Sequence, residues 1–160
     1  MPNDQQILII YATNSGNTYF VAERVRERLE QYGFCVTIKA VADAQLKDLS
    51  GHDLIILGSC TWNRKTALAK VEEGQLQDQM DTFVNEIPEG AGKGVKFAVF
   101  GLGDKDYQHF CRAADCLEDF VARVGGEKVW PSMRVNGFPQ GQEESIDEWT
   151  KHLVKRLKYH

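Results

Sequence analysis

A chain of 160 residues with 42% hydrophobic and 26% charged residues has the size and composition of one globular domain, large enough to bury about two-thirds of its unfolded surface. Its formal charge of −4 argues against a phosphate-backbone partner, so no nucleic acid is expected, and no apolar run approaches membrane-span length. The start MPNDQQILII has no basic segment before its apolar run, and Cys35, Cys60, Cys111 and Cys116 lack CxxC or Cys/His spacing, so the expectation is a cytoplasmic protein with reduced thiols, no export and no metal.

The first strand-length apolar run is QILIIY at 6–11, and others follow at 35–41, 53–58, 95–101 and 127–135. Most are continuous rather than alternating, which suits strands covered on both faces of a parallel sheet. Between the first two, the stretch 18–32 places Val21, Val25 and Leu29 on one stripe with charges largely outward, and Gly33 follows as a helix-ending residue. After the third run, 63–74 is the least regular part; Leu68 and Val71 stand three apart, so an added helical turn is expected there. A helix carrying Ala113, Leu117, Phe120, Val121 and Val124 precedes Gly125 and Gly126. The last helix carries Ile146, Trp149, Leu153 and Leu157, with Glu143, Glu144 and Asp147 near its start and Lys155, Arg156 and Lys158 near its end, matching the helix dipole.

Strand and helix alternate, which implies right-handed crossovers and an α/β doubly wound sandwich of three layers, with a ligand at the carboxyl ends of the strands. No repeat or linker divides the chain, so residues 1–160 are expected to form one domain.

Three loops at those ends carry the chemistry. The first is TNSGNT: Gly16 permits a tight bend, successive amides can turn inward, and Thr13, Asn14, Ser15, Asn17 and Thr18 add polar side chains. It lacks the Lys of a triphosphate loop and the three glycines of a dinucleotide fingerprint, so a monophosphate fits best; the plain alternative is a polar turn with Asn17 or Thr18 as helix cap. The second, GSCTWN, offers Ser59 and Thr61 at a polar rim and Trp62 for a planar ligand or as a plug on the sheet. The third, GLGDKDYQHF, has Gly101 and Gly103 for close backbone approach and Tyr107 as a second aromatic, while Asp104 or Asp106 can cap the next helix. His109 has no second ligand at metal spacing and reads as a rim residue.

TNSGNT, SCTWN and GLGDKDYQHFC, in this order on this scaffold, resemble the phosphate loop and two flavin-contacting loops of flavodoxins, over nearly the whole chain. The 127–135 run passes to the last helix without a long insertion, so the resemblance is to the short-chain group, with an extended loop after Trp62. From the resemblance, and not from the residues alone, come a five-stranded parallel sheet of order 2-1-3-4-5 and FMN at its switch point. It further implies that residues 13–18 hold the phosphate, that Trp62 and Tyr107 flank the isoalloxazine, and that Ser59, Cys60, Thr61, Asn63, Leu102, Gly103, Asp104, Phe110 and Cys111 line it, partly through backbone groups. No catalytic residue is expected.

The implied activity is that of a low-potential carrier shuttling single electrons between redox enzymes, such as a ferredoxin/flavodoxin–NADP reductase and a low-potential oxidoreductase, as a monomer without membrane partners. A carboxylate such as Asp104 about 8 Å from the ring, at an effective dielectric of about 20, opposes an added negative charge by roughly 2 kcal/mol, on the order of 90 mV. Asn63 stands where many relatives have Gly, at a peptide that must flip to meet the ring's proton on first reduction, and Asn reaches positive φ less freely. Arg64, Lys65 and Lys70 bring cations to a rim that is acidic in the family and are expected to raise the second potential or alter docking. The competing readings are an NAD(P)H or quinone reductase on the same fold, which needs an open flavin face, a detached FMN domain of a multidomain reductase, and a phospho-acceptor receiver, which needs acids where Tyr11, Ala12 and Thr13 stand.

Overall fold

The computed structural model describes residues 5–13, 16–65, 71–103 and 112–158, with the backbone alone at 62–65 and 71–75. Along them run β1 (Gln6–Ala12), α1 (Asn17–Gln31), β2 (Cys35–Ala40), β3 (Leu54–Lys65), β4 (Val71–Leu76), α2 (Asp78–Glu86), β5 (Lys96–Gly103), α3 (Arg112–Arg123), β6 (Glu127–Lys128), β7 (Met133–Asn136) and α4 (Glu143–Lys158). Two 3₁₀ turns, Val41–Asp43 and Leu46–Leu49, carry the chain from β2 towards β3.

β1 lies between β2 and β3, β3 pairs with β5, and β5 pairs with β6 along its start and β7 along its end, all parallel. The sheet therefore has five positions in the order 2-1-3-4-5, the last shared by two short strands. The run 127–135, read as one strand, is broken around Pro131, which has no N–H for a ladder. α4 covers the break: Trp149 Nε1 donates to the Pro131 carbonyl at 2.8 Å and Arg156 Nε to the Val129 carbonyl at 3.3 Å.

Continuous apolar strands make sense because both faces are covered. Ile7, Ile9, Leu54, Ile56 and Phe100 pack against Val21, Val25 and Leu29 of α1 and Ile146 and Leu153 of α4. On the opposite face Leu8, Ile10, Ile55, Leu57 and Val99 meet Met80 and Phe83 of α2 and Leu117, Phe120 and Val121 of α3. The period of two along each strand thus feeds two cores rather than a core and a solvent face. α1 ends as read: Gly33 has φ 93°, and Gly33 N and Phe34 N donate to the Glu30 and Leu29 carbonyls, closing the helix with the buried Phe34.

Two parts of the chain differ from the sequence reading. β3 does not stop at Gly58 but runs to Lys65, and from Thr61 its partner is the antiparallel β4. Val71, expected in an added helical turn with Leu68, begins that return strand; Leu68 lies outside the described residues. α2 was not foreseen, because its cap is not one of the usual small polar residues: the Gln77 side chain accepts from Gln79 N at 2.7 Å and Met80 N at 3.0 Å.

One long-range charge cluster fixes α4 on α1. The Asp147 carboxylate accepts from Arg24 Nε at 2.8 Å and Arg24 Nη2 at 2.7 Å, and also from Arg28. The Arg28 and Arg24 hydrogen bonds hold its pKa well below the usual carboxylate range. A carboxyl whose folded pKa is depressed stabilises the fold above its unfolded pKa and loses that contribution as pH falls through the folded one. Asp147→Asn is therefore expected to cost about 1 kcal/mol, as for a partly exposed pair, at neutral pH. Urea unfolding from pH 7 to strongly acidic pH should show the difference from wild type shrinking as the acid range is entered; a constant difference would refute the ionic origin.

Candidate functional site

Pairing register sets the site. Ala12 stands opposite Ser59, Ser59 opposite Gly101 and Cys60 opposite Leu102, and Leu102 and Gly103 opposite Val135 and Asn136. The turn after β1, the end of the parallel part of β3, the end of β5 and the 137–142 turn therefore leave the sheet at one edge, the edge at which α/β sheets bind ligands.

At the first turn, Gly16 caps α1 with φ 86°, a conformation that favours glycine, and no side chain caps the helix. Neither Asn17 nor Thr18, the caps of the plain-turn alternative, serves as one. Gly16 N donates to Thr13 Oγ1 at 2.9 Å, and Asn17 Oδ1 accepts from Gln140 Nε2 at 3.2 Å. Thr18 is 0% exposed, and its Oγ1 has no hydrogen-bond partner. The first amides of a helix have no intrahelical acceptors, the dipole there is positive, and the first turn of α1 carries no acid. A glycine bend, uncapped amides and an orphaned buried hydroxyl together fit a phosphate group. Asn14 and Ser15 lie outside the described residues.

The second loop is part of a strand, and two of its side chains serve the scaffold. The fully buried Ser59 donates through Oγ to the Cys60 carbonyl at 3.0 Å and accepts from Gln77 N at 3.4 Å, tying β3 to the cap of α2. Thr61, expected at a polar rim, accepts at Oγ1 from Ala113 N at 3.1 Å in the first turn of α3. These two residues offer a ligand their backbone rather than an open hydroxyl. Cys60 and Cys116 are partly buried, Cys35 is exposed, and none of the three is in a disulfide; burial raises the Cys116 thiol pKa, which disfavours its thiolate. The backbone at Asn63 falls where the pairing of β3 with β4 slips between Trp62 and Arg64, a bulge of the kind that re-aims the chain. The side chains of Trp62 and Asn63 are outside the described residues.

At the end of β5, Leu102 is buried, 4% exposed, among the residues facing α1 and α4. Gly103 accepts through its carbonyl from Gly137 N at 2.7 Å. Gly101 was read as making room for a ligand; a Cβ there would instead lie 2.7 Å from Ala114 N, so this glycine admits the first turn of α3. Asp104, Tyr107, His109, Phe110 and Cys111 lie outside the described residues. Gln77 and Gln140 are site-supporting residues that the sequence reading missed. For Gln77 a signal existed, since Leu76, Met80, Phe83, Val84 and Ile87 repeat at helical spacing after it; for Gln140, which reaches Asn17 across the fold, none did. Among the described residues no group of His, Cys, Asp and Glu could hold a metal ion, and no helix is long and apolar enough to cross a membrane.

Comparison with known proteins agrees with this geometry. Residues 9–149 match the family model described as Flavodoxin. The chain is 34% identical to a flavodoxin of Maridesulfovibrio salexigens, covering 94% of this chain and 97% of that protein. It is 31% identical to one from Nitratidesulfovibrio vulgaris, covering 94% and 98%. The crystal structure of oxidised flavodoxin 2 from Bacillus cereus superposes with a TM-score of 0.77 at 28% identity, over 96% of this chain and 97% of that one.

Proposed function

We infer the working of this site from one premise: the chain belongs to the flavodoxin family, and is an FMN-binding electron carrier. FMN, when bound, supplies reversible electron uptake at its ring. The reading we propose for the rest is that the 160 residues act as one domain, cytoplasmic and monomeric, passing single electrons between protein partners without turning over a substrate of its own. A ferredoxin/flavodoxin–NADP reductase suits the donor side and a low-potential oxidoreductase the acceptor side.

The observation that carries the assignment of residues is the uncapped start of α1 with the buried, unpartnered Thr18 hydroxyl. Thr13, Asn14, Ser15, Gly16, Asn17 and Thr18 bind the phosphate through amides and hydroxyls. Ser59, Cys60, Thr61, Leu102 and Gly103 present backbone groups along one edge. Trp62 and Tyr107 supply the aromatic walls that exclude water, and Asn63, Asp104, Phe110 and Cys111 complete the lining. With FMN bound, the peptide after Trp62, which lies where the pairing of β3 with β4 slips, would offer its backbone carbonyl to the ring.

The test is spectroscopic. Purified protein, or protein reconstituted with FMN, should be yellow, and NADPH alone should not bleach it while NADPH with a catalytic amount of reductase should. Rapid bleaching by NADPH alone would make it a reductase, and a chain that stays colourless would refute the assignment. Asn63→Gly is expected to raise the first-electron potential by a few tens of millivolts, equivalent to about 1 kcal/mol of relieved backbone strain; potentiometric titration showing it unchanged or lowered would count against the turning peptide.

A further inference from the structure

The 137–142 turn holds an aromatic side chain in water at the edge where the site lies. Phe138 is 76% exposed, yet the turn beneath it is fastened from several directions. Gly137 N donates to the Gly103 carbonyl at 2.7 Å, and Gln142 N to that of Pro139 at 2.9 Å. Gln142 Nε2 reaches the Asn136 carbonyl at 2.7 Å and the Phe138 carbonyl at 2.6 Å, and Gln140 holds Asn17 of α1. Gly137 and Gly141 take φ 71° and 94°, as the tight path requires. A rigid loop that displays Phe, when folding offers no reward for exposing it, has the properties of a binding anchor: large apolar area and little ordering left to lose.

Beside the turn opens a groove of about 460 Å3, lined among others by Tyr19, Phe20, Glu23, Glu27, Gln140 and Glu143. Arg24 is the cation of this lining, and its guanidinium is committed to Asp147. Glu23 is in turn held by Arg26, so the charge offered outward is that of two carboxylates, Glu27 and Glu143. Tyr19 adds a second exposed ring, 43% accessible and in contact with Tyr11 at 5.3 Å between centroids.

Resting on the electron-carrier reading, we propose that Phe138 and the acidic groove between α1 and the 137–142 turn form the docking surface for the reductase that donates electrons. The partner chemistry that fits is an apolar socket for one aromatic side chain, flanked by Lys or Arg that meet Glu27 and Glu143. Because the turn hangs from Gly103 and Asn136, a partner seated here lies over the edge that carries the flavin loops.

The experiment is stopped-flow reduction of the FMN-loaded protein by a ferredoxin/flavodoxin–NADP reductase in excess NADPH. Phe138→Ser should lower the second-order rate constant about tenfold, equal to about 1.4 kcal/mol, with the flavin spectrum, the thermal midpoint and the limiting rate at saturation unchanged. Glu27→Gln should lower it a few-fold at low ionic strength and hardly at all at high salt. A wild-type second-order constant in Phe138→Ser overturns the proposal while leaving the carrier function intact. A concentration-dependent dimer of the wild type that Phe138→Ser abolishes overturns it in favour of a second copy of this chain. A chain that takes up no FMN overturns the proposal together with the reading beneath it.

Discussion

Thr18→Val should make the FMN-free protein more stable by about 1 kcal/mol and weaken FMN binding by about tenfold to a hundredfold. Valine keeps the shape of threonine and removes only the hydroxyl, which is fully buried and has no partner. A buried unsatisfied polar group costs about 1–3 kcal/mol, and a hydrogen bond to a charged group contributes about 1.5–3 kcal/mol. On the proposed reading the same atom is a burden in the FMN-free protein and a donor to the phosphate in the loaded one. Urea unfolding of the apoprotein and titration of FMN by fluorescence quenching read the two halves separately. A destabilised apoprotein with unchanged FMN affinity would mean that Thr18 serves the core of α1, and the phosphate would have to be placed elsewhere.

Gly101→Ala is the second large effect, an expected loss of about 3 kcal/mol at the upper end of overpacking costs, with FMN affinity falling as well. The new Cβ would stand 2.7 Å from Ala114 N and 2.9 Å from Ala114 Cβ, so the obstacle includes backbone. α3 would have to move, and with it the Ala113 amide held by Thr61 and the chain entering the helix. Gly58→Ala provides a contrast, because there the Cβ would meet the Phe100 ring at 2.0 Å, a side chain that can be exchanged. Adding Phe100→Leu should recover part of the stability of Gly58→Ala, whereas adding Ala114→Gly should recover little for Gly101→Ala. Equal rescue in both pairs, measured by urea midpoint, would show that α3 is free to yield and that Gly101 is not what seats it.

Neither prediction could be read locally, although other features of the chain could. The bend at Gly16, the ending of α1 at Gly33 and the charge pattern of α4 are properties of a few consecutive residues, and the structure has each of them as read. The β3–β4 ribbon escaped because an irregular polar stretch carries no period of its own, and its strands are stabilised by each other. α2 escaped because Gln is a rare cap, although its apolar spacing was there to be counted.

The amino-acid sequence alone determined the α/β class, the alternation of strand and helix, the glycine turn after β1 and the family resemblance, because apolar runs, helical stripes and glycine bends act over distances of a few residues. Only the tertiary structure decided that Ser59 ties β3 to the cap of α2, that Thr61 caps α3, that Gly101 yields its space to a helix and that Asp147 clamps α4 to α1. Those roles belong to pairs of residues far apart in the chain. A hydroxyl, a carboxylate or a missing Cβ acquires its partner when strand register and helix packing bring the other half within reach.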